Sequence, residues 1–215
     1  MLFPRFQSFF YQKIAKPILF LFDPEFDHNL MTKIGELFEN QAWLIGSLFR
    51  YKNQSLSKTV LGVKFDNPVG LAAGFDYDGH LAKVMRYIGF GFNTVGTVTA
   101  RAYQGNEGKR LGRLPKSRSL LVNKGFKSEG ADAVKSRLDR KNLTDHTVGL
   151  SIGSSNLPSV DTVNKAIKDY LYTFRLFSKS KYIKYFELNI SCPNIKFKGA
   201  FYDPQNFDKL CRAVS

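Results

Sequence analysis

Short apolar runs of strand length alternate with helical stretches from Thr59 onward, and this alternation constrains the fold more than any other feature of the sequence. Thr59 to Asp66 reads as a hairpin leading to Asn67-Pro68, followed by a strand from Val69 to Ala73 and a helix from Gly79 to Ile88. A strand from Phe92 to Thr97, a polar excursion from Ala100 to Arg118 and a short strand at Leu120-Leu121-Val122 come next. Then a helix (Ser128 to Leu138), a strand (Thr147 to Ile152), a helix (Val160 to Phe177), a strand (Tyr182 to Ile190) and a helix from Pro204 follow in order. Regular βαβα order predicts an α/β fold, with a parallel sheet and helices outside it. Roughly four βα units make about the first half of a (β/α)8 TIM-type barrel. No internal repeat or low-complexity tract interrupts the series.

Each predicted strand is followed by a polar or glycine-rich cluster. These are Ala72-Ala73-Gly74-Phe75-Asp76-Tyr77, Gly96-Thr97-Val98-Thr99, Asn123-Lys124-Gly125-Phe126, Ser151-Ile152-Gly153 and Asn189-Ile190-Ser191-Cys192-Pro193-Asn194. Small residues at Ala73 and Gly74 would let a flat ring lie against the backbone; a tight βα turn needing Gly is the plainer reading. The last cluster gathers two amides, a hydroxyl and a thiol at the end of an apolar strand. Packing explains it poorly, although a buried cysteine beside a capping serine remains the alternative. Five such clusters on one rim form the site pattern of a barrel enzyme.

Before Thr59 the texture differs. Residues 1–22 are basic and aromatic, with Leu2, Phe3, Phe6, Phe9, Phe10, Tyr11, Ile14 and the run from Ile18 to Phe22, and with Arg5, Lys13 and Lys16 as the charges. That run is far shorter than the ~20 residues of a membrane span, and no small-residue cleavage site follows it. Asp23-Pro24-Glu25 predicts a helix start, with Asp as N-cap and Pro in the first turn, and Phe26, Leu30, Ile34 and Leu37 on one face. A third apolar segment, Ala42 to Phe49, carries Trp43, Leu44, Ile45 and Leu48. Short amphipathic helices of this kind suit an appendage lying on a membrane; a helical pair packed on its own barrel is the alternative. The expected division is residues 1–57 for this helical segment and 58–215 for the barrel part.

With 43% hydrophobic and 23% charged residues the chain is globular rather than disordered. The formal charge of +14 fits nucleic acid, an anionic membrane surface or anionic small molecules, or simply a lysine-rich solvated surface. Cys192 and Cys211 make no CxxC and no metal-ligand spacing, which points to a reducing setting. His28, His80 and His146 are scattered, and no metal site is indicated.

The cluster motifs resemble those of dihydroorotate dehydrogenases, flavoproteins that make orotate for pyrimidine (UMP) synthesis. The resemblance rests on the run from Asn67 to Asp76, Gly96 to Thr99, Gly105-Asn106 with Arg110-Leu111, Asn123 with Gly125-Phe126, and Asn189 to Asn194. Asp23-Pro24-Glu25 and His28 resemble the helical hood of the quinone-dependent, peripherally membrane-bound branch (class 2), placed on the cytoplasmic face of the membrane. The resemblance implies FMN as cofactor, dihydroorotate as substrate and a membrane quinone as acceptor, with no nucleic acid as partner. A base takes a proton from C5 of dihydroorotate and a hydride leaves C6 for the flavin. By position Cys192 is the base. Asn123, Asn189 and Asn194 bind the pyrimidine edge and carboxylate, with Gly125, Phe126 and Tyr77 beside them. Ala73, Gly74, Thr97, Ser151 and Asn189 face the FMN. Asparagine suits this substrate because its amide matches alternating donors and acceptors.

The chain departs from the family pattern at four places. Cys192 stands where the quinone branch has Ser, and Cys is typical of the soluble branch; a thiol, with an ordinary pKa of about 8.5, is the more ready proton acceptor. Tyr77 stands where the family has a Lys near flavin and substrate. The Asn123 to Phe126 loop is one residue shorter than usual. Ser151 replaces an Asn, and residues 195–200 resemble the soluble NAD-linked group. A soluble-type enzyme using fumarate or NAD is therefore the alternative within the family. A basic nucleic-acid-binding module and an inactive half-barrel are the alternatives outside it. Because barrels hold cofactor phosphates near strands seven and eight, the expectation is that these 215 residues are a fragment that alone binds FMN poorly, is inactive, and exposes sheet edges prone to pairing.

Overall fold

The computed structural model of the chain describes residues 2–49 and 53–215; the side chains of Leu2, Phe3, Arg5, Ile45 and Leu48, singled out by the apolar pattern, lie outside the described ones. Helix α1 (Leu2–Phe10) runs through a π-helical turn (Tyr11–Ala15) into α2 (Lys16–Leu19). Helix α3 (Pro24–Leu37) starts where the sequence predicts: the Asp23 carboxylate accepts from the Glu25 N–H at 2.8 Å and the Phe26 N–H at 3.2 Å, with Pro24 in the first turn. Helix α4 (Ala42–Phe49) completes this helical hood.

The predicted hairpin is β1 (Lys58–Val60) and β2 (Val63–Phe65), closed by Leu61 and Gly62 at φ of 48° and 78°. Two consecutive positive φ values give a turn whose twist matches paired strands. Strands β3 (Gly70–Leu71) and β4 (Phe92–Thr99) follow, then a second antiparallel hairpin of β5 (Leu111–Leu114) and β6 (Ser119–Val122). Helix α5 (Ala131–Asp139), strand β7 (Val148–Gly153), helix α6 (Val163–Phe177), strand β8 (Ile183–Leu188) and helix α7 (Pro204–Val214) complete the order. The parallel sheet runs β3-β4-β7-β8, so its strands end on one rim.

Burial explains why these runs form strands. All of β7 is buried, with Val148, Leu150 and Ile152 fully so. A parallel strand covered on both faces reads as continuous apolar sequence, and each such side chain contributes roughly 2 kcal/mol. Helix α5 buries Ala131, Val134 and Leu138, and α6 buries Ala166, Tyr170 and Phe177. These helical stripes join the strand residues in one core cluster. Thr162 sets the start of α6, its hydroxyl accepting from the Lys165 N–H at 3.3 Å.

Two elements differ from the sequence expectation. Residues 79–88 form successive turns instead of a helix. Their N–H groups reach a mixture of carbonyls (Val84 to Leu81, Met85 to Leu81, Phe90 to Met85), and Gly79 has φ 76°. Leu81, Ala82, Val84 and Met85 are still buried, so the apolar spacing is satisfied without helical regularity. Leu120 to Val122 is no barrel strand: its residues are exposed and pair only with β5, so the hairpin lies outside the parallel sheet. The Asn123 cluster therefore reaches the rim from the open end of a hairpin, where the Asn123 N–H donates to the Arg110 carbonyl at 2.8 Å, and not from the end of a sheet strand.

Candidate active site

The sheet rim begins with backbone. Gly74 has φ 104° and donates its N–H to the Gly96 carbonyl at 2.7 Å. No heavy atom stands within 4 Å of where a Cβ at Gly74 would be, which leaves an open cradle there. Gly96 has φ 125°, and a Cβ on it would strike the Ser151 carbonyl. The register of β4 against β7 shifts between Val95 and Val98, and this irregularity sets Thr97 at the rim.

From Thr97 a directed hydrogen-bond line crosses three strands. Asn189 Nδ2 donates to Thr97 Oγ1 at 2.7 Å, and Ser151 Oγ donates to Glu187 Oε1 at 2.9 Å. The Thr97 and Ser151 hydroxyls lie 3.1 Å apart. Since Ser151 spends its one proton on Glu187, Thr97 donates to Ser151 and accepts from Asn189. The Asn189 amide is thereby oriented. A second polar centre is Asn106, whose Nδ2 donates to Asn123 Oδ1 and to the Asn194 carbonyl, both at 2.8 Å. Its Oδ1 accepts from the Tyr103 hydroxyl at 2.7 Å and from Asn156 Nδ2 at 3.1 Å. Asn194 Nδ2 in turn donates to the Val122 carbonyl at 3.0 Å. These amides tie the β5–β6 hairpin to the loop after β8. Gly125 is required beside them: its φ is 64°, and a Cβ there would strike the Asn106 amide.

Between these layers lies a cavity of about 160 Å³. Ala73, Gly74, Tyr77, Thr97, Gly125, Phe126, Asn189, Cys192 and Asn194 line it. Two predicted residues do not. Ser151 is fully buried behind Thr97, and Asn123 accepts from Asn106. Phe126, at φ 62°, packs over Gly153, where a Cβ would strike its ring. The half-buried Cys192 thiol is pushed up by burial, against a smaller lowering from the Asn194 backbone N–H, so it is protonated at neutral pH.

One wall is strongly charged. Glu25 of α3 faces Arg110 Nε at 3.1 Å and the ammonium groups of Lys124 and Lys127 at 3.8 Å each. Lys124 lies over the Tyr77 ring, 4.5 Å from its centre. His28 packs against Phe75 and Tyr77 at 4.9 and 5.1 Å between ring centres. Burial, then Lys124 and Lys127, lower its pKa to about 4 against the opposing pull of Glu25. Burial, with Glu25 and Asp78, pushes the Tyr77 hydroxyl upward. The sequence motifs assign no role to Lys124, Lys127, Asn156 or Glu187, and hold Glu25, His28, Asn106 and Arg110 only as motif members. The place of Lys124 inside the Asn123-Lys124-Gly125-Phe126 cluster is the one signal in the sequence that points to it.

The sequence indicated no metal site, yet Asp78, His80 and Glu129 bring ligand-type atoms within 4.8 Å of one another. Those groups are engaged otherwise. His80 contacts Glu36 at 2.8 Å and Glu129 at 3.4 Å, and Arg137 meets Glu129 at 2.5 Å.

A family model described as dihydroorotate dehydrogenase matches residues 55–215. The chain belongs to the dihydroorotate dehydrogenase family. A protein named dihydroorotate dehydrogenase (quinone) from Christiangramia forsetii is 40% identical over 190 residues, covering 86% of this chain and 53% of that protein. Another of that name from Chloroflexus aurantiacus is 39% identical over 217 residues, covering 98% of this chain and 58% of the relative. The chain thus spans about half the length of the curated relatives it matches. Among solved structures, dihydroorotate dehydrogenase from Eimeria tenella in complex with ferulenol superposes with a TM-score of 0.72 at 26% identity, over 89% of this chain and 50% of that one. The resemblance read from the motifs and the half-barrel fold expected from the strand order are both borne out.

Proposed function

We propose that this protein acts as a dihydroorotate dehydrogenase in UMP biosynthesis, with FMN as its redox group and a membrane quinone as final acceptor. The observation that carries the reading is the cavity itself. It brings Cys192, Asn189 and Asn194 into one lining with the open cradle at Gly74, in a chain similar to quinone-type relatives.

The residues present fit a flavin. Ala73 and Gly74 offer a rim without side-chain bulk, and Thr97, with Ser151 behind it and Asn189 beside it, supplies oriented polar groups. When bound there, FMN supplies the acceptor for the hydride from C6 of the substrate. Cys192 then takes the proton from C5 at Sγ. Asn194, whose amide is fixed by the Val122 carbonyl and whose backbone carbonyl is held by Asn106, faces the pyrimidine edge, while Asn123, bound through its Oδ1 to Asn106, steadies that arrangement from behind the cavity lining. Phe126 and Gly125 close the hairpin side and exclude water. Because burial raises the thiol, proton removal by Cys192 speeds up as the pH rises through the alkaline range.

In this reading residues 1–57 form the membrane and quinone-access segment, and 58–215 the flavin-binding barrel part. No helix among the described residues is long and apolar enough to cross a membrane. The exposed Phe6, Phe9, Phe10, Ile14 and Ile18 suit peripheral attachment at the cytoplasmic face. A second reading, a soluble-type enzyme using fumarate or NAD, is favoured by Cys192 at the base position. Dihydroorotate-driven reduction of a quinone analogue, fumarate and NAD, run side by side with and without lipid vesicles, separates the two. The proposal expects quinone reduction stimulated by lipid; turnover with fumarate or NAD alone would replace it by the second reading.

A further inference from the structure

The charged wall holds one group that the proposed chemistry has not used. Lys124 is 5% exposed, and its ammonium has no hydrogen-bond partner among the described residues. It rests on the Tyr77 ring and stands 3.8 Å from Glu25. Glu25 is already shared with Arg110 and Lys127, so three cations face a single carboxylate. His28 adds no charge at neutral pH and cannot relieve the excess either. A buried cation without full compensation is costly. An arrangement that keeps one at the wall of a cavity is completed by an anion. The direction of the Lys124 pKa agrees: burial, Lys127 and Arg110 push it down, and Glu25 only partly restores it.

We propose that Lys124 is the anion-binding residue of the cavity and takes the carboxylate of the pyrimidine substrate. Its flexible four-carbon stem carries the ammonium off the Tyr77 face toward the cavity that Cys192, Asn189 and Asn194 also line. Lys124 thus supplies from the open end of the β5–β6 hairpin the cation that Tyr77, standing where the family has Lys, does not. The Tyr77 ring holds the ammonium until the ligand arrives. This inference rests on the pyrimidine reading of the site.

The test is calorimetric binding, which needs no turnover, of three probes to the FMN-supplemented protein. Orotate has ring and carboxylate, uracil the ring alone, and benzoate a carboxylate alone. In Lys124→Met we expect orotate affinity to fall between about tenfold and a hundredfold, the range of one charge-assisted hydrogen bond, with uracil unchanged. Methionine fills the site without a buried charge, so the variant is expected to fold. The exchange Tyr77→Lys with Lys124→Tyr, which returns the cation from the opposite position, should restore orotate binding. Equal losses for orotate and uracil would mark Lys124 as merely structural, and unchanged orotate binding would remove its role; either overturns the proposal while leaving the pyrimidine reading intact. Lys124-dependent benzoate binding without any preference for orotate would keep the anion role and sink the pyrimidine reading. Failure of the wild-type protein to bind all three would overturn both.

Discussion

The hood and the half-barrel use the same residue types in opposite directions. In the barrel, apolar side chains point inward, and β7 is buried at every position. In the hood they point outward: Phe6 is 65% exposed, Leu21 81% and Trp43 61%. What the hood turns toward the barrel is acid. Glu25 meets Arg110, Asp27 meets Arg113, Glu36 meets His80, and Glu39 meets Lys141, while Asn40 accepts from Lys83 at 2.6 Å. An element docked by ion pairs while its apolar face stays outside suits the membrane attachment proposed above. The +14 formal charge is accordingly not all solvated surface, since part of it receives the hood.

This contrast can be broken by mutation. Leu150→Ala should destabilise the protein by about 3 kcal/mol, because a fully buried strand side chain leaves a cavity; the urea midpoint reads this. Asp76→Asn should act next, with a sign set by pH. Burial raises the Asp76 pKa from 3.8 to about 6. A carboxyl whose native pKa lies above its unfolded value loses stability as pH rises through that window. The substitution should therefore stabilise by about 3 kcal/mol at pH 7 and by nothing below pH 3.8, in parallel unfolding curves at the two pH values. His28 has the opposite sign: its depressed pKa means stability complete above 6.5 and lost as pH falls toward 4. Acid should loosen the α3 side of the molecule first, visible as faster amide exchange in α3 than in β7.

Asp27→Asn should cost about 1–2 kcal/mol by leaving Arg113 without its carboxylate, with faster exchange confined to the hood. Smallest is Leu30→Ala on the outer face of α3, 38% exposed. It should change stability by less than about 0.5 kcal/mol while weakening vesicle binding. A loss as large as that of Leu150→Ala would mean the hood face is core, and the contrast would fall.

The sequence made the buried half most legible. Runs such as Val148 to Ile152 can be little other than covered parallel strand, and Asp23-Pro24 announces a helix start by its chemistry alone. The failures share a cause. Leu120 to Val122 is apolar but exposed, so hydropathy placed it in the wrong sheet. In 79–88 the apolar spacing was real, but turns satisfied it. At the site, residues following strands were found because glycines and amides there are conspicuous. The cation cluster was not, since Glu25, Tyr77 and Lys124 meet only in three dimensions, and a lysine in sequence looks like a solvated one.

Whether Cys192 is the proton acceptor of a flavin-linked oxidation is decided by anaerobic titration of the flavin-loaded protein with dihydroorotate, followed by visible absorbance. Bleaching is expected at a rate that climbs with pH into the alkaline range, because burial raises the thiol, and that drops by at least about a hundredfold in Cys192→Ala. Bleaching of Cys192→Ala at the wild-type rate, with the same pH profile, would contradict it.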